Sequence, residues 1–162
     1  MASAAIEKYA DGPNELRQAV APLRPAQLLQ RPIPGRWSTL EVVCHLADME
    51  AVFAERMKRV IVEDRPTLFD ADENRYAAAL AYHARNLADE LGVIENTRRQ
   101  MAAILNCLPL ESFARQGVHT TAGPLTLEQL LTKVTAHLKH HVGFILEKRR
   151  ALGTGNPPGG EA

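Results

Sequence analysis

Apolar residues recur at helical spacing along most of this chain, and in four places the recurrence is long enough to define a helix. The clearest stripe is Val42, Leu46, Met49, Phe53, Met57 and Val60. It follows "WSTLEV", where Ser38 stands as N-cap, Glu41 answers it three residues on, and Trp37 flanks the cap to pack on Val42. That is a capping box with a hydrophobic staple, and the helix it opens ends near Glu63. The same grammar recurs in "LTLEQL": Thr126 caps, Gln129 answers, and Leu125 packs on Leu130. The stripe after it, Leu127, Leu130, Leu131, Val134, Leu138 and Ile145, predicts a fourth helix to about Arg150.

A third helix starts at Asn86 as N-cap, with Asp89 in its first turn, and passes through Leu91, Ile94, Arg98, Met101, Ile104 and Leu105 to a stop at "CLP". The first helix covers residues 4 to 22, and Gly12-Pro13 predicts a break or fresh start inside it. "RPIPGRW" reads as an extended loop, because the residue before each proline is pushed away from helical geometry. Residues 64–85 hold a short helix over 72–83 and enough chain to cross the length of a bundle. Period-two alternation reaches no useful length anywhere, so no sheet is expected. The prediction is all-α: a four-helix bundle over residues 1–150, with a long crossover between helices two and three and a disordered tail over 151–162, "LGTGNPPGGEA" following Ala151.

At 162 residues and 46% hydrophobic, the chain suits one domain with its own core. Nineteen Lys and Arg against nineteen Asp and Glu leave no net charge, so no global electrostatic footprint for nucleic acid or an anionic membrane exists. No apolar run approaches the ~20 residues that span a bilayer. The expected partner is therefore a small molecule, with no nucleic acid and no membrane. The start, "MASAAIEKYADG", lacks a basic region and a long apolar run, and Cys44 and Cys107 lie far apart; the expectation is a cytoplasmic protein with both thiols free.

Candidate chemistry concentrates in "HLKHHVGFI". His137 and His141 are four apart on the buried stripe of helix four, roughly 6 Å along the axis, so both can grip one ion from a single helix. His140 is rotated about 100° away and is left out of the set. His45, at the edge of the helix-two stripe, is the third candidate, and an edge position suits a site partly open to substrate. Two readings stand: the three rings converge on a divalent ion with an open position, or they are partly buried histidines bonded to backbone or carboxylates. Periodicity does not say whether helices two and four are neighbours.

Asp48 and Glu41 lie three and four residues from His45 and are candidates to support it, against the simpler roles of solvated face and capping residue. His119, in a glycine-bracketed loop, and Trp37, at the bundle's end, are candidates for the site mouth, against a surface histidine and a staple. Cys44 reads as a packing residue and His83 as a surface one. Arg98 and Arg99 read as solvated, with contact to an anionic substrate as the alternative. No residue is assigned as catalytic.

Taken together, "PGRWSTLEVVCHLAD", "GVHTTAGPLTLEQLL" and "HLKHHVGFI" resemble the DinB-like (YfiT-like) superfamily, over about residues 6 to 150. The resemblance implies a four-helix bundle with a long crossover. It also implies a divalent metal, usually nickel or zinc, held by one histidine of helix two and a His-x-x-x-His pair of helix four, matching His45, His137 and His141. For activity it implies a thiol S-transferase using a low-molecular-weight thiol such as bacillithiol or mycothiol, a thiol-dependent isomerase, or a metal-dependent hydrolase, and it makes a homodimer reasonable. One departure stands out: Phe144 occupies a position where the family often has Gln. The alternatives are a non-catalytic bundle binding a metal or small ligand, and a purely structural bundle without metal.

Overall fold

The computed structural model describes residues 2–154. Six helices, α1 (Ala2–Val20), α2 (Pro25–Leu28), α3 (Thr39–Val62), α4 (Glu73–Ala79), α5 (Leu87–Asn106) and α6 (Leu127–Ala151), are joined by loops, two short 3-10 turns and three short strands. Four of them, α1, α3, α5 and α6, form the bundle. Each of α1 and α3 packs against both α5 and α6, so the two helices that carry the histidines are neighbours.

The caps form as the pattern requires. Ser38 accepts from the Glu41 amide while Glu41 accepts from the Ser38 amide at 2.7 Å, and Thr126 and Gln129 repeat the exchange. Asn86 accepts from the amides of Ala88 and Asp89. The crossover between α3 and α5 carries α4, over 73–79, and a 3-10 turn at Tyr82–Ala84, in place of one helix over 72–83. The expected tail lies outside the described residues except for 151–154; Ala151 closes α6.

Two expectations are corrected. Gly12-Pro13 does not break α1, which runs through both residues. Pro13 has no amide to offer the Tyr9 carbonyl four residues earlier, and the Arg98 guanidinium donates to that carbonyl instead, at 2.9 Å. Gly12 makes the approach possible, since a β-carbon there would stand 2.3 Å from Arg98 Nη1. The second correction is a sheet of order β1-β2-β3, from β1 (Thr67–Leu68), β2 (Gln116–His119) and β3 (Gly123–Thr126). β1 pairs parallel and β3 antiparallel to β2. Strands of two and four residues are too short for alternation to register, and β2 spends one position on Gly117, where a β-carbon would press on Leu68 at 2.8 Å.

Arg98 is also not solvated: it is buried at 1% exposed, and its partner Glu50 is buried at 3%. Its Nη2 lies 2.8 Å from Glu50 and donates to the Val134 carbonyl, while Tyr9 donates its hydroxyl to Glu50. Burial pushes the Glu50 carboxyl up, with Arg98 and Tyr9 opposing. This layer ties α1, α3, α5 and α6 together and divides the core. One apolar half holds Tyr9, Met57, Met101, Leu130 and Val134; the other holds Leu16, Leu46, Ile94, Leu138 and Ile145.

Candidate metal centre

His45 comes from α3, two turns after its cap, and His137 and His141 come from successive turns of α6. The capping boxes fix where each helix starts, and the packing of Val42 and Leu46 with Leu138, Val142 and Ile145 in one cluster turns His45 and the α6 pair toward one another. Each of the three rings offers one nitrogen, and the three atoms lie within 4.8 Å of one another. His45 Nε2 and His137 Nε2 are 3.0 Å apart, and the ring centroids are separated by 4.6–5.0 Å. His45 is fully buried, His141 is 9% exposed and His137 is partly buried. His45 is therefore not an edge residue of α3; the opening lies on the α6 side.

All three imidazoles are held neutral. Burial pushes His137 down to about 4 and His141 to about 3, with the neighbouring histidines adding to the effect, and burial lowers His45 against the opposing pull of Glu73 and Asp48. Neutral imidazole is the form that binds a metal. Nδ1 of His45 and Nδ1 of His141 have no hydrogen-bond partner among the described residues. Two neutral rings facing each other through Nε2 can share at most one proton, which leaves lone pairs aimed into a low-dielectric interior. A divalent cation answers that arrangement, and the donor set of three nitrogens suits zinc or nickel.

The supporting candidates separate. Trp37 joins the site: its ring lies 5.2 Å from that of His45 and it lines the pocket in front of the histidines. Asp48 is engaged by Arg85, with both carboxylate oxygens within 3.1 Å of Nη1. Glu41 is committed to the cap and to Arg31. His119 is neither on a surface loop nor at the site mouth. It ends β2, 8% exposed, its Nδ1 accepting from the amides of Thr121 and Ala122 and its Nε2 lying 3.8 Å from Asp70. Cys44 packs as expected, its thiol pushed up to about 12 chiefly by burial. His140 is exposed beside Phe144.

Sequence reasoning missed Glu73, whose Oε2 is 3.9 Å from His45 Nε2. It arrives on the first turn of α4, in the crossover, where no pattern signals it. A pocket of about 240 Å³ opens in front of the histidines, lined by Arg36, Trp37, Glu73, His141, Phe144 and Lys148 among others. Lys148 had a signal, seven residues after His141 and on the same stripe; Arg36 had none.

A four-helix bundle with a long crossover and three inward histidines, two from one helix and one from its neighbour, defines a class of metal-site helical bundles. The chain belongs to the DinB superfamily, whose sequence profile matches residues 8–145. It is 28% identical over 149 residues to YfiT of Bacillus subtilis (strain 168), a protein named provisionally as a metal-dependent hydrolase, covering 91% of this chain and 84% of that one. A similarly named protein of Oceanobacillus iheyensis is 28% identical over 142 residues, covering 86% and 81%. The solved structure of Bacillus subtilis YfiT, described as an unusual four-helix bundle, superposes with a TM-score of 0.88 at 27% identity, over 94% of this chain and 87% of that one. A variant of mycothiol-dependent maleylpyruvate isomerase shares the fold, with a TM-score of 0.71 at 8% identity, over 88% of this chain and 60% of that one. Among the described residues no helix is long and apolar enough to cross a membrane.

Proposed function

We propose that the chain is a metal-dependent hydrolase of small molecules, in which His45, His137 and His141 hold one divalent ion, zinc or nickel. The observation that carries the reading is the cluster of three neutral imidazoles opening into a pocket that also contains a carboxylate. Held by these three imidazoles, a divalent ion would supply Lewis-acid chemistry, making water a better nucleophile near neutral pH and polarising a substrate oxygen. The chain's own part is to orient and to move a proton. Glu73 Oε2, 3.9 Å from His45 Nε2 and at the solvent side, takes the proton from the attacking water and returns it to the leaving group. Trp37 and Phe53 wall two sides of the histidine cluster, with ring centroids 5.2 Å from His45 and 6.1 Å from His137, and limit bulk water there.

Thiol transfer, the other activity the resemblance implies, would need its thiol from outside. Cys44 is buried and held protonated, and Cys107 is not part of the pocket. The two chemistries separate in one experiment. Protein purified without an affinity tag is loaded with zinc or nickel and assayed against activated esters and amides, and in parallel for attack of bacillithiol or mycothiol on a small electrophile. Metal-dependent ester or amide cleavage supports hydrolysis. A metal-dependent rate only with thiol moves the assignment to S-transfer, and neither rate with fully loaded protein points to a non-catalytic binding bundle.

A further inference from the structure

The pocket in front of the histidines contains two cations with no anionic partner. Lys148 lies on α6 two turns beyond His141 and is 2% exposed. Its one hydrogen bond reaches back to the Phe144 carbonyl of its own helix at 3.5 Å, and among the described residues no carboxylate lies within ion-pair distance. Arg36 approaches from the loop before α3 on the exposed side of the pocket. Its guanidinium carbon sits 5.4 Å from the Phe144 ring centroid, and Lys148 Nζ sits 5.7 Å from the same centroid, so both charges converge on one aromatic side chain. Arg36 has no carboxylate partner among the described residues either. Two other inward-facing cations pair with acids, Arg98 with Glu50 and Arg85 with Asp48 and Glu90, while the buried Arg56 donates to the Phe69 carbonyl. The acid of the pocket, Glu73, is directed to His45.

Burying an ammonium unpaired is costly. Burial, with Arg36 adding and Glu147 opposing, pushes Lys148 below the ordinary lysine pKa. An oxyanion between the two cations would favour the charged ammonium and would meet the planar donors of Arg36. Trp37, Val42 and Phe144 give the pocket an apolar wall, beside the polar Glu73 and Asn74, and that wall suits an apolar body.

We propose that Arg36 and Lys148 form an oxyanion-binding subsite at the mouth of the histidine centre, which selects small amphiphilic substrates bearing a carboxylate or phosphate. The proposal rests on the reading of this pocket as the substrate site. It places the anionic group against Arg36 and Lys148, the apolar body against Trp37 and Phe144, and the scissile bond toward the histidines.

Trp37 is the sole tryptophan of the chain and lies in the pocket wall, so its fluorescence reports occupancy directly. The test titrates benzoate, phenyl phosphate and the neutral benzamide into full-length protein freed of metal with EDTA, at one ionic strength. The expected result is saturable quenching by at least one oxyanion, about tenfold or more tighter than by benzamide, weakened by about tenfold in Arg36→Gln and in Lys148→Met. A preference for benzoate identifies a carboxylate as the recognised group, and one for phenyl phosphate identifies a phosphate. Should Lys148→Met fail to fold, judged by circular dichroism, the loop variant Arg36→Gln decides alone. Absence of saturable quenching, equal binding of benzamide, or wild-type affinity in folded variants overturns the subsite. Oxyanion binding that appears only with zinc restored also overturns it, while leaving the metal reading in place. Protein that takes up neither zinc nor nickel yet binds an oxyanion through these side chains overturns the metal reading and supports the subsite.

Discussion

At the scale of single residues, the three histidines are distinguished from His140 by direction alone. Elemental analysis of His45→Ala, His137→Ala and His141→Ala is expected to show loss of most bound zinc or nickel, and His140→Ala is expected to retain it; equal loss in all four would place the site elsewhere. Glu73→Gln should keep the metal and slow hydrolysis by about 10²- to 10⁴-fold, the usual contribution of a positioned base. Metal loss in that variant would make Glu73 a ligand instead. The depressed pKa values carry a sign. A histidine neutral in the folded chain and protonated when unfolded binds more protons in the unfolded state between its two pKa values. Its stabilisation is full above about 6.5 and declines as pH falls toward the folded values of about 4 for His137 and about 3 for His141. Urea midpoints of metal-free protein should therefore drop between pH 7 and pH 4.5. His141→Leu should show a shallower drop, by on the order of 1 kcal/mol after allowance for solvent screening.

At the scale of elements, α1 illustrates how a sequence signal for a break becomes a contact. Pro13 frees the Tyr9 carbonyl, Gly12 clears the space, and Arg98 from α5 takes the vacated position. Gly12→Ala is expected to destabilise the protein even though alanine is the better helix former, because the guanidinium must move or the helix must shift. Chemical denaturation of Gly12→Ala beside Gly92→Ala makes the comparison clean, since a β-carbon at Gly92 meets nothing within 4 Å. A stabilised Gly12→Ala would show that the arginine does not need that space.

At the scale of the whole molecule, the buried pair of Arg98 and Glu50 joins four helices, and its removal by halves should be severe. Arg98→Met leaves Glu50 without its counter-ion in a dry interior, where it must stay charged or take up a proton, at a cost of about 3–5 kcal/mol. The double variant Arg98→Met with Glu50→Gln should recover part of that loss, since no uncompensated charge remains. Thermal unfolding of the single and double variants reads the difference, and a double variant less stable than Arg98→Met would contradict it. Metal bound between α3 and α6 should stabilise the same fold by mass action, about 2.7 kcal/mol at a hundredfold excess over Kd.

Much of this architecture was legible without coordinates. The helix starts at Ser38, Asn86 and Thr126 were readable because a cap is a local exchange between a side chain and an amide three residues away. The i, i+4 pair of His137 and His141 was readable because a single helix sets their spacing. His45 entered the set from its place beside the helix-two stripe, and the family motifs matched it. What only the tertiary structure decided is whatever depends on two helices meeting: that α3 and α6 are neighbours and the three rings converge, that Arg98 is buried rather than solvated, and that His119 closes a small strand. The pocket cations Arg36 and Lys148, and Glu73 from the crossover, belong to the same class. Each lies on a different element, and no local periodicity records a distance set by the packing of the whole bundle.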